Sequence, residues 1–511
     1  MIPADTQIPS PAPRDTEQRF ERPAALAILV ALVLVLAALT ANRIAHPFGD
    51  SDEGINGAVW ALDARSLGEL GVVDSTFGGT RIDGTRYASH PPMIVAVTAG
   101  AQTVAGEGGW ADRFAAWGAT LAAVALLYLL ARDLALRPVP AAATVVATMA
   151  CHMVTTYGFM LDTPVTSLPF GIAVALLWAR AWRGITVPAA MAGAIALGAS
   201  LSGWQAALIA GMAGVTLVVS GARSTRHAVA SWKAGVPWLI GTALGGALSM
   251  GWALWTYGSI DEMVRKLTQR SGGDGGGGLV DLVSFQLPWM TQLLGAGVLA
   301  LVVCGISLRS ARFRPVAALS LTAVLGYALL FREAAGGHQY WMYWSLLPVA
   351  IGWAYVFGPG ADRMALDLRT GTRGVALAIT AVALVVGAIN LTRPDQAGEL
   401  IDRGNETVAL VTATTLPDGQ VELPYVGQAE RPDSWVVYST DLDPRQLVDA
   451  DALRRLADTA PDHRVLVLGR CDEPTAELCR SLGLPVFEGP GGLVAPEMVT
   501  AAELAQRLDG G

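Results

Sequence analysis

Apolar runs of about twenty residues recur along this chain, and that recurrence constrains its fold more than any other feature. A bilayer core is ~30 Å thick, so a helix that crosses it needs roughly 20 mostly apolar residues. Candidate spans lie near Ala24–Ala41, Trp110–Leu130, Ala141–Tyr157, Val165–Trp178, Pro188–Ser202, Gln205–Ser220, Gly235–Tyr257, Pro288–Ile306, Pro315–Phe331, Tyr343–Phe357 and Gly374–Asn390. The pattern predicts an α-helical polytopic membrane protein with about eleven transmembrane helices. Composition agrees: only 15% of residues are charged, against ~25% in an ordinary soluble protein. That excludes a disordered chain and most water-soluble enzymes. A net charge of -8 argues against an electrostatic hold on nucleic acid. Four cysteines in 511 residues exclude a disulfide scaffold.

The charges between the runs set the direction of threading. Arg14, Arg19 and Arg22 precede the first run, which is longer than the ~7–15 residues of a signal-peptide core. It reads as a retained signal-anchor with a cytoplasmic N-terminus. From there every inside loop is basic, as the positive-inside rule asks: Arg132/Arg137, Arg180/Arg183, Arg223/Arg226/Lys233, Arg309/Arg312/Arg314 and Arg363/Arg369/Arg373. Arg265, Lys266 and Arg270 fall in an outside loop, against the trend. Pro91–Ala105 is apolar but short, and counting it as a span would reverse the later loops. It is therefore expected to be an interfacial or re-entrant helix on the outer face. An odd span count puts the C-terminus extracytoplasmic, in a multi-pass protein of the cell membrane. The preference for arginine over lysine and the abundance of alanine point to a high-GC bacterium, and so to a bacterial plasma membrane as the expected location.

Three units follow: a cytoplasmic tail at 1–23, a membrane domain at 24–390 with a first outer loop at 43–109, and an extracytoplasmic part at 391–511. In the last, short apolar runs (Trp435–Ser439, Val465–Gly469, Leu484–Phe487) alternate with helical patterns (Asp451–Asp458, Thr475–Leu482, Thr500–Leu508). This predicts a small α/β domain. Cys471 and Cys479 lie there, where oxidation is permitted; they are either a disulfide or two buried thiols. Cys151 and Cys304 fall within spans and read as packing residues.

Ionisable groups are costly near a membrane, so their clustering on one face calls for a chemical reason. Asp52 and Glu53 open a helical pattern running to Leu67 in the first outer loop. That pattern predicts an amphipathic helix on the bilayer surface, with both carboxylates at its positive end. His90 precedes Pro91-Pro92 at the start of the short apolar helix. Arg113 stands at the outer end of the second span, either as a phosphate ligand or paired with Asp112 or snorkelling to the interface. Asp162 in Asp162-Thr163-Pro164 caps a span at the same face. Arg332, His338 and Tyr340 follow between two late spans. Tyr340, Trp341, Tyr343 and Trp344 read either as an interfacial aromatic belt or as a platform for sugar faces. Jointly, carboxylates, histidines and arginines at one surface fit a substrate with a lipid tail, a phosphate and a hydroxyl to be deprotonated.

The order of these motifs resembles the polytopic glycosyltransferases of the C-type superfamily that take sugar from a polyprenyl-phosphate donor (glycosyltransferase family 39 and relatives). That group includes protein O-mannosyltransferases and the aminoarabinose transferase of lipid A. The resemblance covers roughly residues 24–360: an Asp-Glu pair after the first span, His90-Pro91-Pro92, Arg113, Asp162-Thr163-Pro164, and His338-Gln339-Tyr340 running on to Pro348. It implies a glycosyltransferase that moves a sugar to an acceptor hydroxyl on the extracytoplasmic face, in one inverting displacement. Asp52 resembles the catalytic base and Glu53 its partner. Arg113 and His338 resemble residues near the donor phosphate, where His90, Arg332 and Tyr340 are further candidates. In some members the acidic residue matching Asp162 binds a divalent metal, which makes Asp162 and Glu53 candidate ligands. The implied partners are membrane lipids, a polyprenyl-phosphate-linked sugar and an acceptor protein, lipid or glycan, with no nucleic acid. One departure is that the lipid A branch usually carries lysine where this chain has His90. A transporter or flippase of lipid-linked substrates, or a non-catalytic envelope assembly protein, remain the alternatives.

Overall fold

The computed structural model describes residues 15–46, 48, 52–82, 84–223, 228–270, 278–360, 407, 409–426, 442–447, 449–469, 476–482 and 494–510. Its first half is a helical bundle. Helices α1 (Asp15–Ala45), α2 (Asp52–Asp74) and α3 (Met93–Ala105) come first. Helices α4 (Gly109–Asp133) and α7 (Thr163–Trp182) pack on each other at the centre, linked by α5 (Pro138–Met149) and the single turn α6 (His152–Tyr157). Helices α8 (Ala189–Ser202), α9 (Trp204–Arg223) and α10 (Ala228–Tyr257) form a tight neighbouring group. There Gly241 of α10 lies where an added Cβ would meet the backbone carbonyl of Gly193.

Three single helical segments are long and apolar enough to cross a bilayer unaided: Glu21–Ala41, Gly109–Asp133 and Thr163–Trp182. Several others are shorter apolar helices of 10–17 residues. The expected span over Pro288–Ile306 is instead a bent pair, α12 (Leu279–Leu294) and α13 (Gly297–Ser307), with 106° between them. Gly295 at the break has φ 54°, a left-handed conformation that glycine adopts at little cost. The expected span over Ala141–Tyr157 is likewise split, because Cys151 is extended (φ -121°, ψ 160°) between α5 and α6. The expected span at Gly374–Asn390 lies outside the described residues. Helix α3, at 13 residues and so ~20 Å long, is too short to cross, as its sequence indicates.

After α10 come the surface helix α11 (Ile260–Arg270), then α12 and α13, α14 (Arg314–Leu330), α15 (Arg332–Gly337), a 3-10 turn (Gln339–Ser345) and α16 (Leu346–Tyr355). The helix ends sort by charge. Asp133 at the end of α4 takes Arg180 Nε at 2.9 Å and is also bonded by Arg183, both at the end of α7. Arg312, ahead of α14, has its pKa lowered by burial and by the nearby Arg183 charge. The ends of α4 and α7 and the loop ahead of α14 thus meet at one end of the bundle.

The described tail residues form a four-stranded sheet in the order β2 (Asp443–Gln446), β1 (Glu422–Val426), β3 (Arg464–Gly469), β4 (Val494–Thr500). The first three strands run parallel and β4 antiparallel. Helices α17 (Ala450–Thr459), α18 (Ala476–Ser481) and α19 (Ala501–Gly510) accompany it where helical patterns are expected. The sequence reading finds β3 but not β1, β2 or β4. Each missed strand carries a proline, Pro424, Pro444 or Pro496, a residue that argues against a strand. The register shifts between Val467 and Gly469, opposite Pro496, so that proline sits at a bulge, where it is tolerated. The expected strands at Trp435–Ser439 and Leu484–Phe487 and the boundary at 391 lie outside the described residues. Cys479 is disulfide-bonded while Cys151 and Cys304 are free; Cys471, the expected partner, is outside the described residues.

Both faces of this sheet are buried. Along β3, Val465 and Val467 point to one side, with Leu453, Leu478 and Leu504 of the accompanying helices. Leu466 and Leu468 alternate to the other side, as strand geometry requires, with Leu423 and Tyr425 of β1. That second face packs into one apolar cluster with Trp60, Ala61 and Leu62 of α2, Ile94 and Val95 of α3, and Leu161. Helix α2 is therefore not the surface-lying amphipathic helix its sequence suggests. Residues 58–64 are all buried, because the tail sheet covers the side that would otherwise face water.

Candidate active site

The start of α2 is clamped by one ion pair. Arg113, in the first turns of α4, donates from Nε to Glu53 Oε1 at 2.6 Å and from Nη2 to Oε2 at 3.1 Å. Its Nη1 donates to the carbonyls of Ile44 (3.3 Å) and His46 (2.6 Å) at the end of α1. Its guanidinium also lies 4.3 Å from the centre of the Phe48 ring. Phe48 fits there because residue 57 is glycine; a Cβ at Gly57 would run into the ring. Both charges are out of water, at 0 and 1% side-chain exposure. Burial of this kind is tolerated only with close pairing and extra hydrogen bonds. Asp112 is not the partner of Arg113; it accepts from Gln102 Nε2 of α3 at 2.8 Å. Nor does Arg113 snorkel. Four of its five N–H groups are committed to these bonds. In this arrangement the charge of Arg113 is matched by Glu53. Asp52 is the first residue of α2, and its side chain lies outside the described residues.

A second group forms around the start of α7. Asp162 is the N-cap, and its Oδ1 accepts from Thr163 N at 2.6 Å. The same oxygen accepts from Trp60 Nε1 of α2 at 3.2 Å. Thr163 Oγ1 lies 3.3 Å from His90 Nδ1. The His90 ring is 5.9 Å from Trp60 and 6.3 Å from Tyr87, centre to centre. Pro92 is the N-cap of α3, so His90 stands just ahead of that helix, as the Pro-Pro signal suggests.

The late segment closes the site from the other side. Tyr340 OH accepts from Asn56 Nδ2 of α2 at 3.0 Å. His338 is held through its carbonyl by Gln286 Nε2 at 3.0 Å. The Trp341 ring is near both histidines, with its centre 6.5 Å from that of His90 and 6.3 Å from that of His338. Tyr340, Trp341, Tyr343 and Trp344 are all buried inside the protein, which excludes the lipid-facing aromatic belt. Arg332 is exposed at the start of α15. The structure thus draws Glu53, Arg113, Asp162, His90, His338 and Tyr340 into one neighbourhood at the starts of α2, α4 and α7, opposite the basic end. Trp60, Asn56, Tyr87 and Thr163 join them. The sequence singled out none of these four as site residues, because each reads as ordinary helix or loop.

The donor sets do not fit a metal held by Asp162 and Glu53. Both Glu53 oxygens are taken by Arg113, and Asp162 Oδ1 caps α7 and holds Trp60. Among the described residues no three His, Cys, Asp or Glu side chains cluster as a metal site would need.

Two apolar grooves lie near this neighbourhood. One, of about 430 Å³, runs between α3, α4, α7 and α8, past Met93, Gly118, Ala122, Thr166, Phe170 and Ile195. Met93 and Thr166 are three and four residues beyond His90 and Asp162. The other, of about 490 Å³, lies between α9 and α14, with Trp204, Leu208, Tyr327 and Phe331 in its wall.

No protein-family model matches the chain, and no curated protein sequence matches it. Solved structures do. ArnT from Cupriavidus metallidurans bound to undecaprenyl phosphate superposes with a TM-score of 0.59 at 15% identity, over 94% of this chain and 98% of that one. The same protein in its apo state gives 0.55 at 15% identity, with the same coverage. The Archaeoglobus fulgidus oligosaccharyltransferase in its apo form gives 0.52 at 14% identity, over 88% of this chain and 70% of that one. At such identities the likeness is one of architecture, and it extends through the tail as well as the bundle. The chain is a multi-pass membrane protein with the fold of ArnT and, over most of its length, of the archaeal oligosaccharyltransferase, which is the architecture its sequence motifs imply.

Proposed function

We propose that this protein is a membrane glycosyltransferase that moves a sugar from a polyprenyl-phosphate donor to an acceptor hydroxyl, on the extracytoplasmic face and in a single inverting displacement. One observation carries the reading. A buried polar neighbourhood of acidic groups and histidines lies at the end of the bundle away from Arg180 and Arg183, and an apolar groove begins one turn along from His90 and Asp162, at Met93 and Thr166. That is the geometry a long isoprenoid with a phosphate head requires. The fold shared with ArnT, solved with undecaprenyl phosphate, points the same way.

Asp52 is the base. It opens α2, where unpaired backbone N–H groups favour an ionised carboxylate. The acceptor oxygen bonds to the anomeric carbon as its proton passes to Asp52. The bond from that carbon to the phosphate oxygen breaks on the opposite face, and polyprenyl phosphate leaves as the anion. His90 and His338, each with its ring near that of Trp341, stabilise the growing phosphate charge, with the exposed Arg332 as a further cation. Glu53 and Arg113 hold the helix start that carries the base. Asp162 orders the α7 start and, through Trp60, the middle of α2. Tyr340, tied to Asn56, presents a ring to the sugar.

The test is transfer by the purified full chain in nanodiscs, with labelled polyprenyl-phosphate sugars and a panel of protein, lipid and glycan acceptors. Transfer with at least one pair is expected, and Asp52→Asn abolishes it without lowering the yield of folded protein. No transfer with any pair sinks the enzyme reading. Full activity of Asp52→Asn removes Asp52 from the chemistry.

A further inference from the structure

Next to Trp341 is a small cavity lined by Gln205, Tyr327, Trp341, Met342 and Trp344 together with small apolar side chains of α14. About 10 Å³ of it is open to the centre of a water, which is room for a single molecule. Its wall is mostly apolar, yet two of the side chains in it carry buried polar atoms. Gln205 is 2% exposed and Trp341 4%. Neither the amide nitrogen nor the amide oxygen of Gln205, nor the indole N–H of Trp341, has a hydrogen-bond partner among the described residues. An unmade hydrogen bond at a buried polar group costs about 1–3 kcal/mol, and three such groups around one void share a simple remedy. A water there can accept from Trp341 Nε1 and from Gln205 Nε2, and donate to Gln205 Oε1, within the two to four bonds that buried waters make.

Gln205 is the second residue of α9 and follows the Gly203 turn directly. Its neighbour Trp204 donates from Nε1 to the carbonyl of Ser89 at 3.0 Å, one residue before His90. The first two residues of α9 thus bond the residue ahead of His90 and share a cavity wall with Trp341, whose ring is near both histidines. Trp341 is also stacked on Tyr327, with ring centres 5.1 Å apart. Stacking leaves a ring free to slide in its own plane, whereas a bond at Nε1 fixes it.

We propose that Gln205 and Trp341 bind one ordered water in this cavity, and that Gln205 acts through that water as a positioning residue for Trp341 and so for His90 and His338. Three measurements on the full chain test it, and none uses turnover. A structure at about 2 Å resolution is expected to show one water bonded to the Gln205 amide and to Trp341 Nε1; a dry cavity, or an amide turned to another partner, overturns the proposal. The chain has six histidines, so imidazole labelling gives few enough NMR signals to assign by substitution. Gln205→Leu is expected to move the His90 and His338 signals and their titration while leaving His463 of the tail in place. A loss of thermal stability with all six signals unmoved makes Gln205 merely structural. In a double-mutant cycle, Gln205→Leu and Trp341→Phe are expected to lower the melting temperature together by little more than either alone, because both remove the same water. Additive losses overturn the shared site.

Discussion

Glu53 and Arg113 lie sixty residues apart and meet in a two-bonded ion pair with almost no exposed surface. Because Arg113 also bonds the carbonyls of Ile44 and His46, the pair ties the end of α1, the start of α2 and the start of α4 at one point. Removing one member leaves a buried charge unmatched, at a cost of about 3–5 kcal/mol. Glu53→Gln and Arg113→Met are each expected to lower the melting temperature sharply. The double variant, with no stranded charge, is expected to recover part of the loss. A double variant no better than the worse single one shows that the pair is not the unit.

Trp60 couples the tail to the site. Its ring belongs to the cluster under the tail sheet, while its indole N–H reaches Asp162. Hydrogen bonds to charged groups contribute about 1.5–3 kcal/mol. Trp60→Phe keeps the packing and drops that bond. Transfer is expected to fall by roughly tenfold or more, with only a small change in melting temperature. Rates within twofold of the parent remove Trp60 from the positioning scheme.

Much of this was legible in the sequence because it is local. The start of α2 follows from acidic residues ahead of an apolar pattern, the α7 cap from Asp162-Thr163-Pro164, and α3 from Pro91-Pro92. What was not legible depends on partners far along the chain. Asp112 adjoins Arg113 and looks like its mate, yet Glu53, sixty residues earlier, takes both forks of the guanidinium. Trp60 reads as one residue of an amphipathic face until the sheet is seen to cover it. The bend at Gly295 is hidden in an apolar run, since hydropathy carries no record of φ. The aromatic run after His338 has the composition of a membrane belt, and only its burial shows that it is core.

The alternation along β3 gives a separable test of docking. Leu466 and Leu468 face α2 whereas Val465 and Val467 face the tail's own helices. Burying a leucine contributes about 1.5–3 kcal/mol. Leu466→Ser with Leu468→Ser is expected to raise hydrogen exchange in α2 and in residues 77–90. Exchange unchanged there, with the substitutions tolerated, means that the sheet does not hold the loop.

Acid acts on the tail through a capping box at α19. Glu503 Oε2 accepts from the backbone N of Thr500 (2.8 Å) and from its Oγ1 (2.9 Å), and Thr500 Oγ1 accepts from Glu503 N at 3.2 Å. Those Thr500 bonds, backbone first, hold the Glu503 pKa below its ordinary 4.5. A carboxylate with a depressed folded pKa stabilises above its unfolded value, and that contribution fades as pH falls through the folded one. Gln also completes a capping box but does not titrate. Hydrogen exchange in residues 501–510 of the parent is therefore expected to rise relative to Glu503→Gln below about pH 4.5. Parallel profiles for the two chains contradict the assignment.

The groove beside α4 can be filled without disturbing the bundle. A Cβ added at Gly118 meets nothing within 4 Å, and this residue lines the cavity between α3, α4, α7 and α8. Replacing a mid-helix glycine also recovers up to about 1 kcal/mol of helix propensity. Gly118→Leu is therefore expected to match or exceed the parent in melting temperature while weakening undecaprenyl phosphate binding at least tenfold, measured by competition with a labelled analogue. Gly211→Leu, in the groove between α9 and α14, serves as the comparison and is expected to leave that affinity near the parent's. If Gly211→Leu blocks the lipid and Gly118→Leu does not, the isoprenoid lies along the opposite wall, and the path from Met93 to His90 is not the one the donor takes.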